Sequence, residues 1–357
     1  MFDTERTLSE RGLARCGARV FPKGTILYAM YASVGECSIA AVPVATSQAI
    51  LGIETRDSLD GTYLYHVLSH MKAQIRFSGQ QGTQNNLNMK MVKELLIPLP
   101  QIEEQRRIAT VLTDSDEMIE SLQRLIAKKR YLMHGVRRQL LSRETRLPGY
   151  SGEWGVQTIN ELFSFLRTVA LSRDQLTCDG EVGYIHYGDI HTKWDDHLDL
   201  SRHEVPMAGY ELVGRATEVQ DGDLVIADAS EDVEGVGKSV EIQGAHGRRV
   251  VAGLHTILLR PRIPVFAAGF AGLLQHTPAF RHQAARLAAG LKVYGISKSA
   301  LATFQVSMPS VAEQRAIAEV IMDMDAEIEA LERRLAKTRD LKQGMAQELL
   351  TGRTRLV

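Results

Sequence analysis

Four histidines and three aspartates crowd one stretch of the sequence: His186, His191, His197 and His203 with Asp189, Asp195 and Asp196. Imidazole and carboxylate can ligate zinc, but these spacings match none of the usual zinc patterns, so no metal is expected. The run Glu234-Gly235-Val236-Gly237-Lys238-Ser239 has the ending of a phosphate-binding loop. That loop needs glycine five residues before its last one; position 232 is aspartate, whose charge repels phosphate. Ser, His and Asp are all present without a Gly-x-Ser-x-Gly elbow to expose a nucleophile. The chain also lacks the glycine-rich dinucleotide fingerprint, the Asn/Asp-Pro-Pro-aromatic signature of adenine methyltransferases, and an acidic pair followed by Glu-x-Lys. The expectation is a chain without catalysis and without a cofactor of its own.

The 357 residues are enough for two or three folding units. At 44% hydrophobic and 24% charged, the composition excludes a disordered or collagen-like chain. The longest apolar run, residues 263–274, is too short to span a bilayer, and no basic-then-apolar leader opens the chain. Cys16, Cys37 and Cys178 stand far apart, which fits unpaired thiols in a reducing cytoplasm. Forty-two basic and 43 acidic residues leave a net charge of −1. This excludes coating nucleic acid by bulk charge but leaves room for a local basic surface.

An internal repeat organises the chain. Pro100–Leu147 and Pro309–Leu356 align without a gap, with 23 of 48 positions identical. Each copy opens on proline, tolerated in a first helical turn, and carries Glu-Gln-Arg five residues in: Glu104, Gln105, Arg106 and Glu313, Gln314, Arg315. Ile108, Leu112, Ile119, Leu122 and Ile126 fall on a heptad seam; so do Ile317, Ile321, Ile328, Leu331 and Leu335. Each copy therefore predicts a helix of about 40 residues, about 60 Å long. Acidic residues crowd the first half of each and basic residues the second. Antiparallel packing sets acid against base, so the two helices are expected to pair antiparallel.

Two globular segments remain. The expected division is 1–99, a first β-rich domain; 100–147, the first helix; 148–308, a second β-rich domain; and 309–357, the second helix. Strands are expected over 182–186, 223–227, 238–242, 249–251 and 256–259, where short apolar runs meet Gly, Asp and Pro turn signals. Helices are expected over 267–275 and 278–287. The globular segments also look related. Lys23-Gly24-Thr25 parallels Asp221-Gly222-Asp223, and residues 82–100 parallel 290–309. About 45–50 residues of the second, including Trp154, have no counterpart in the first. The fold class expected is α+β, with two β-rich domains separated by two long helices packed as an antiparallel coiled coil.

This layout resembles the specificity subunit of type I restriction–modification systems. The resemblance rests on the paired Pro-x-x-x-Glu-Gln-Arg-x-Ile-Ala segments, Pro100–Ala109 and Pro309–Ala318. The helix endings Leu140-Leu141 and Leu349-Leu350 and the position of Trp154 add to it. It implies two target-recognition domains that read a bipartite double-stranded DNA target, and a coiled coil that sets the half-site spacing. It implies docking of two methyltransferase subunits, which would carry S-adenosylmethionine, at Glu104–Arg106 and Glu313–Arg315. It also implies a restriction/motor subunit in the larger complex and no membrane. The departure is the shortened first domain, which leaves open a truncated subunit acting as a protein-interaction scaffold, or a specificity chain of another restriction class.

Arginine and lysine position DNA backbones or read guanine, and amides read adenine. By that chemistry the expected DNA contacts in the first domain are Tyr31, Ser33, Gln80, Gln81, Gln84, Asn85, Asn86 and Lys90. In the second they are His191, Lys193, Trp194, Lys238, Arg248, Arg249, Lys292, Tyr294 and Lys298.

Overall fold

The computed structural model describes residues 7–78, 86–288, 290 and 293–356. The chain falls into two compact units, Met1–Ile126 with Ala330–Val357, and Ala127–Glu329. The expected boundaries separate globular segments from helices. Compactness instead divides each long helix, Ile102–Leu141 and Val311–Leu350, between the two units. Each helix has 40 residues, the length its seam predicts.

In the first unit, β1 (Ile26–Ala29) is the centre of a three-stranded antiparallel sheet. It is flanked by β2 (Cys37–Ile39) and β3 (Ile50–Ile53). Ile26 and Tyr28 are fully buried against Leu64 and Leu68 of the helix Gly61–Ser78. Another face of that helix buries Tyr63 and Val67 on Ile108 and Leu112 of the first long helix and Leu349 and Leu350 of the second. The long helices run antiparallel here, with Asp116 paired to Lys342.

In the second unit, β4 (Gly155–Thr158) leads through a capped helical turn, Ile159–Leu162, into β5 (Phe163–Leu166). Then follow β6 (Val182–Ile185), β7 (His197–Asp199), β8 (Leu224–Ala227), β9 (Ser239–Gln243), β10 (Val250–Ala252), β11 (Thr256–Pro261) and β12 (Gln305–Met308). A five-stranded sheet has the order β5-β11-β8-β9-β7, and β4 pairs with β12. Its core buries Ile159, Leu162 and Phe163 among Ile257, Leu259, Phe304 and Val306, with Leu140, Ile317 and Ile321 from the long helices. These helices are antiparallel here too: Lys129 pairs with Glu327 at 2.7 Å.

The globular parts share one frame. The Gly24 amide donates to the Ala40 carbonyl as Gly222 does to Ile242. Ala29 bonds Glu36 as Ala227 bonds Lys238, and Leu87 bonds Met30 as Ile296 bonds Asp228. The short helices Met89–Lys93 and Lys298–Ala302 are capped alike, by Asn88 and Ser297. By this frame β1, β2 and β3 correspond to β8, β9 and β11.

All five expected strands form, and the helix Pro278–Leu287 has its expected limits. The helix expected over 267–275 does not form; a 3-10 helix, Ala271–His276, stands there. The Gly269 and Gly272 amides donate to the buried Glu241 carboxylate, at 2.7 and 3.1 Å. That bond and the left-handed φ of +84° at Gly269 keep an α-helix from starting before residue 271.

Candidate nucleic-acid interface and the Glu-Gln-Arg motif

The repeated motif is used twice in the same way. The buried Gln105 accepts the Asp60 amide (2.9 Å) and donates to the carbonyls of Ser58 (3.1 Å) and Pro100 (2.8 Å). Gln314 accepts the Ala267 amide (3.0 Å) and donates to Val265 (3.0 Å) and Pro309 (3.1 Å). Each amide thus ties its long helix to the globular part beside it. Glu104 takes a two-pronged ion pair from Arg355 (2.7 and 2.6 Å), and Glu313 takes one from Arg146 (2.5 and 2.6 Å). Arg146 and Arg355 are themselves repeat partners, 209 residues apart. The Arg355 guanidinium and the Leu356 amide hold the Glu104 carboxyl below the usual carboxylate range, against a smaller opposing effect of burial. The expectation that the whole motif docks a partner is therefore corrected. The Glu and Gln side chains are buried and engaged within the chain, and only Arg106 and Arg315 face solvent.

The seam residues differ in burial. Ile108, Leu112, Leu122, Ile126, Ile317, Ile321 and Ile328 are buried, and Ile119, Leu331 and Leu335 are half-buried. The sequence does not reveal a charged cluster beside it. Arg137, only 3% exposed, pairs with Asp196 at 2.7 Å; Asp196 also meets His276 at 2.5 Å, and Asp325 stands 4.0 Å from Arg137. Burial pushes the Asp325 carboxyl up to about 7, helped by the negative charges of Asp196, Asp195 and Glu329 and opposed by Arg137. Burial alone would raise Asp196, but His276 and Arg137 hold it low. In the first unit, burial pushes His66 down to about 4; its Nε2 meets Thr113 Oγ1 at 3.1 Å, and Asp116 and Lys342 face it.

In the second unit a cleft of about 680 Å³ opens between the helix Tyr187–Thr192 and the loop after β8. Its lining includes Tyr187, His191, Ser230, Lys238, His255 and Val293, with Glu231, Asp232 and Glu234 among the lining carboxylates. Lys238 Nζ donates to the His191 carbonyl (3.1 Å), and His191 Nε2 lies 2.9 Å from the Ala229 carbonyl. The strand Ala229–Ser230 pairs with Tyr294–Gly295, so the stretch before Lys298 meets the same loop. Burial pushes His186 down, which leaves its Nδ1 an acceptor for the Gly188 amide at 3.0 Å. Burial would raise Asp189, but Arg173 and Lys193 together hold its carboxyl low. Among the described residues no group of His, Cys, Asp or Glu is placed to hold a metal.

The expected contacts thus divide. His191 and Lys238 line this cleft, Tyr294 pairs with the lining residue Ser230, and Lys298 is exposed just beyond Tyr294. Tyr31, Ser33, Asn86 and Lys90 occupy the corresponding loop and helix start of the first unit, and all four are exposed. Trp194 is a correction: it is 5% exposed, in the core with Leu198, Val240 and Ile242. Lys193 is exposed but paired with Asp189 at 3.0 Å. Arg248 and Arg249 sit on the turn before β10, away from the cleft lining. Arg249 is held by Glu218 at 2.8 Å and lies over the Tyr210 ring. Gln80, Gln81, Gln84, Asn85 and Lys292 lie outside the described residues.

Residues 2–128 match the family model described as the Type I restriction modification DNA specificity domain. The chain is 36% identical over 119 residues to the Type I restriction enzyme MjaIX specificity subunit of Methanocaldococcus jannaschii. It is 29% identical over 91 residues to the putative type I restriction enzyme MjaX specificity subunit of the same organism. These matches cover 33% and 25% of this chain and 28% and 21% of those proteins, about a quarter of their length. Among solved structures, the S subunit of a type I restriction–modification system from M. genitalium aligns with a TM-score of 0.61 and 17% identity. That alignment covers 93% of this chain and 84% of that one. A chain from a study of type I restriction–modification complex assembly and conformational transition aligns at 0.56 and 17%, over 93% and 83%.

Proposed function

We propose that this chain is the DNA-reading adaptor of a type I restriction–modification system, a reading supported by the match of residues 2–128 to the type I restriction modification DNA specificity domain and by a fold like that of a solved S subunit. In this reading each globular part presents its loop-and-helix-start face to one half of a bipartite double-stranded target. The exposed faces of the long helices, with Arg106 and Arg315, dock methyltransferase subunits. Those subunits supply S-adenosylmethionine and the chemistry; this chain supplies address and geometry, and a restriction/motor subunit joins the larger assembly in the cytoplasm. Among the described residues no helix is long and apolar enough to cross a membrane.

The observation that carries the reading is the doubled motif. The same Gln ties each globular part to a long helix, and the same Glu–Arg pair closes each end of the repeat. Two readers on one scaffold turn two weak half-site contacts into one bivalent contact, because the second binding event is intramolecular. The test is co-purification with the methyltransferase subunit encoded beside it, then mapping of methylated adenines. A split methylated motif, shifted by substitutions at Lys238 or Tyr31, supports the reading. A stable complex with methylation independent of sequence would overturn it.

A further inference from the structure

In both units the central strand of the sheet leaves through a loop that returns on a left-handed glycine. The Gly35 amide donates to the Ala29 carbonyl (3.0 Å), and the Gly237 amide to the Ala227 carbonyl (3.1 Å). The two glycines have φ of +84° and +77°. Against each lies a cation of the neighbouring helix. A Cβ on Gly35 would stand 3.2 Å from Lys72 Cγ, and one on Gly237 would stand 3.3 Å from Arg281 Nη2. The likeness ends with the loops themselves. Five residues separate Ala29 from Gly35, and nine separate Ala227 from Gly237. The shorter loop carries no carboxylate. The longer one carries Glu231, Asp232 and Glu234, all exposed in the lining of the 680 Å³ cleft.

The two cations are used differently. Lys72 pairs with the Glu36 carboxylate. Arg281 pairs with no carboxylate among the described residues. Its Nη1 donates to the Glu234 carbonyl (2.7 Å) and its Nη2 to the Val236 carbonyl (3.0 Å). The guanidinium lies over the Phe280 ring, and its Nε is buried without a partner. Burial pulls its pKa down, and no neighbouring charge opposes this. A buried cation without a counter-ion weakens a fold, so stability alone does not account for this arginine. Two features of the side chain do. Its fork reaches two carbonyls at once, where a lysine offers a single point donor. Its charge also lies beneath three carboxylates that repel one another. On the other side of the cleft floor, Lys238 donates to the His191 carbonyl.

We propose that Arg281 is a positioning residue for DNA reading: it clamps the loop 228–236 in the shape with which the second unit reads its half of the target. Arg281 acts through the loop's carbonyls and is not itself a base contact. The inference rests on the proposed DNA-reading role and adds to it a residue outside the cleft lining.

The test uses the full-length protein and begins without DNA. Arg281→Gln should speed hydrogen exchange at Gly235 and Gly237 by about tenfold or more, and leave Val240–Ile242 unchanged. Arg281→Lys restores the charge without the fork and should fall between the two. Each variant is then co-purified with the methyltransferase subunit encoded beside it, and methylated adenines are mapped. Arg281→Gln should relax the motif at one half and leave the other half as it was, with Arg281→Lys again intermediate. A residue that only stabilises the fold would lower the amount of methylation and leave the motif unaltered. If Arg281→Gln folds poorly, Arg281→Lys carries the same comparison. Unchanged exchange in the loop would overturn the proposal, as would a loosened loop with both halves of the motif intact. A wild-type chain that yields no split motif would overturn the DNA-reading role and this proposal with it, whereas the two preceding outcomes overturn this proposal alone.

Discussion

Asp325 is a carboxylate that the fold holds against ionisation. Burial and the charges of Asp196, Asp195 and Glu329 outweigh Arg137 and push it up to about 7. In the unfolded chain it would ionise near the ordinary value of about 4. Its protonated form therefore favours the fold at low pH, and that contribution is lost as pH rises from about 4 through 7. Asp325→Asn should stabilise the protein by roughly 1–3 kcal/mol at pH 8 and by much less at pH 4. Denaturant melts at the two pH values check this; an equal effect at both would refute the assignment. None of this was legible in the sequence, where Asp325 and Arg137 were members of an acidic and a basic run. Their burial depends on Asp196 and His276, distant in sequence, meeting the seam. Trp194 failed for the same reason: a Trp beside Lys reads as a contact until the sheet covers it.

The helices were legible because their information is local and doubled. Proline starts, a seven-residue seam and the sorting of charge all sit within each copy, and both helices and their antiparallel pairing follow from them. Leu122→Asp with Leu331→Asp places two charges in that seam and should cost about 3–5 kcal/mol. A thermal melt with unchanged midpoint would contradict the buried seam. What the pattern could not tell is which way the motif faces. Glu-Gln-Arg reads as a docking surface, but the carboxamides meet backbone groups of the globular parts and the carboxylates meet Arg355 and Arg146, in the segments that follow the ends of the other long helix. Gln105→Ala and Gln314→Ala each strand buried backbone donors and acceptors and should each cost about 2–4 kcal/mol. Because the two sites repeat each other, the losses should be alike; a large cost at one alone would break the equivalence. The 3-10 stretch Ala271–His276 was misread because Glu241, thirty residues upstream, takes the amides that a helix would have used.

At the scale of the whole chain, charge decides how the proposed adaptor could hold DNA. A net charge of −1 gives no long-range pull, and the cleft of the second unit carries three carboxylates in its lining. In the proposed reading, phosphate attraction comes from the few exposed cations near each cleft or loop face and from the partner subunits. Affinity for DNA by this chain alone should therefore be weak, and that of the assembled complex strongly dependent on salt. Each lysine that neutralises one phosphate releases counterions and adds about one to the slope of log affinity against log salt. Lys298→Ala should then lower the slope of the complex by about one, with little change in which sequence is preferred. Lys238 is different in kind, since its ammonium already donates to the His191 carbonyl at the floor of the cleft. Lys238→Ala removes that tie and should alter sequence preference more than slope. Titrations of the complex at several salt concentrations, on matched and mismatched DNA, separate the two. If both variants changed the slope alone, the cleft would be a phosphate-holding surface, and base reading would have to lie elsewhere on the face.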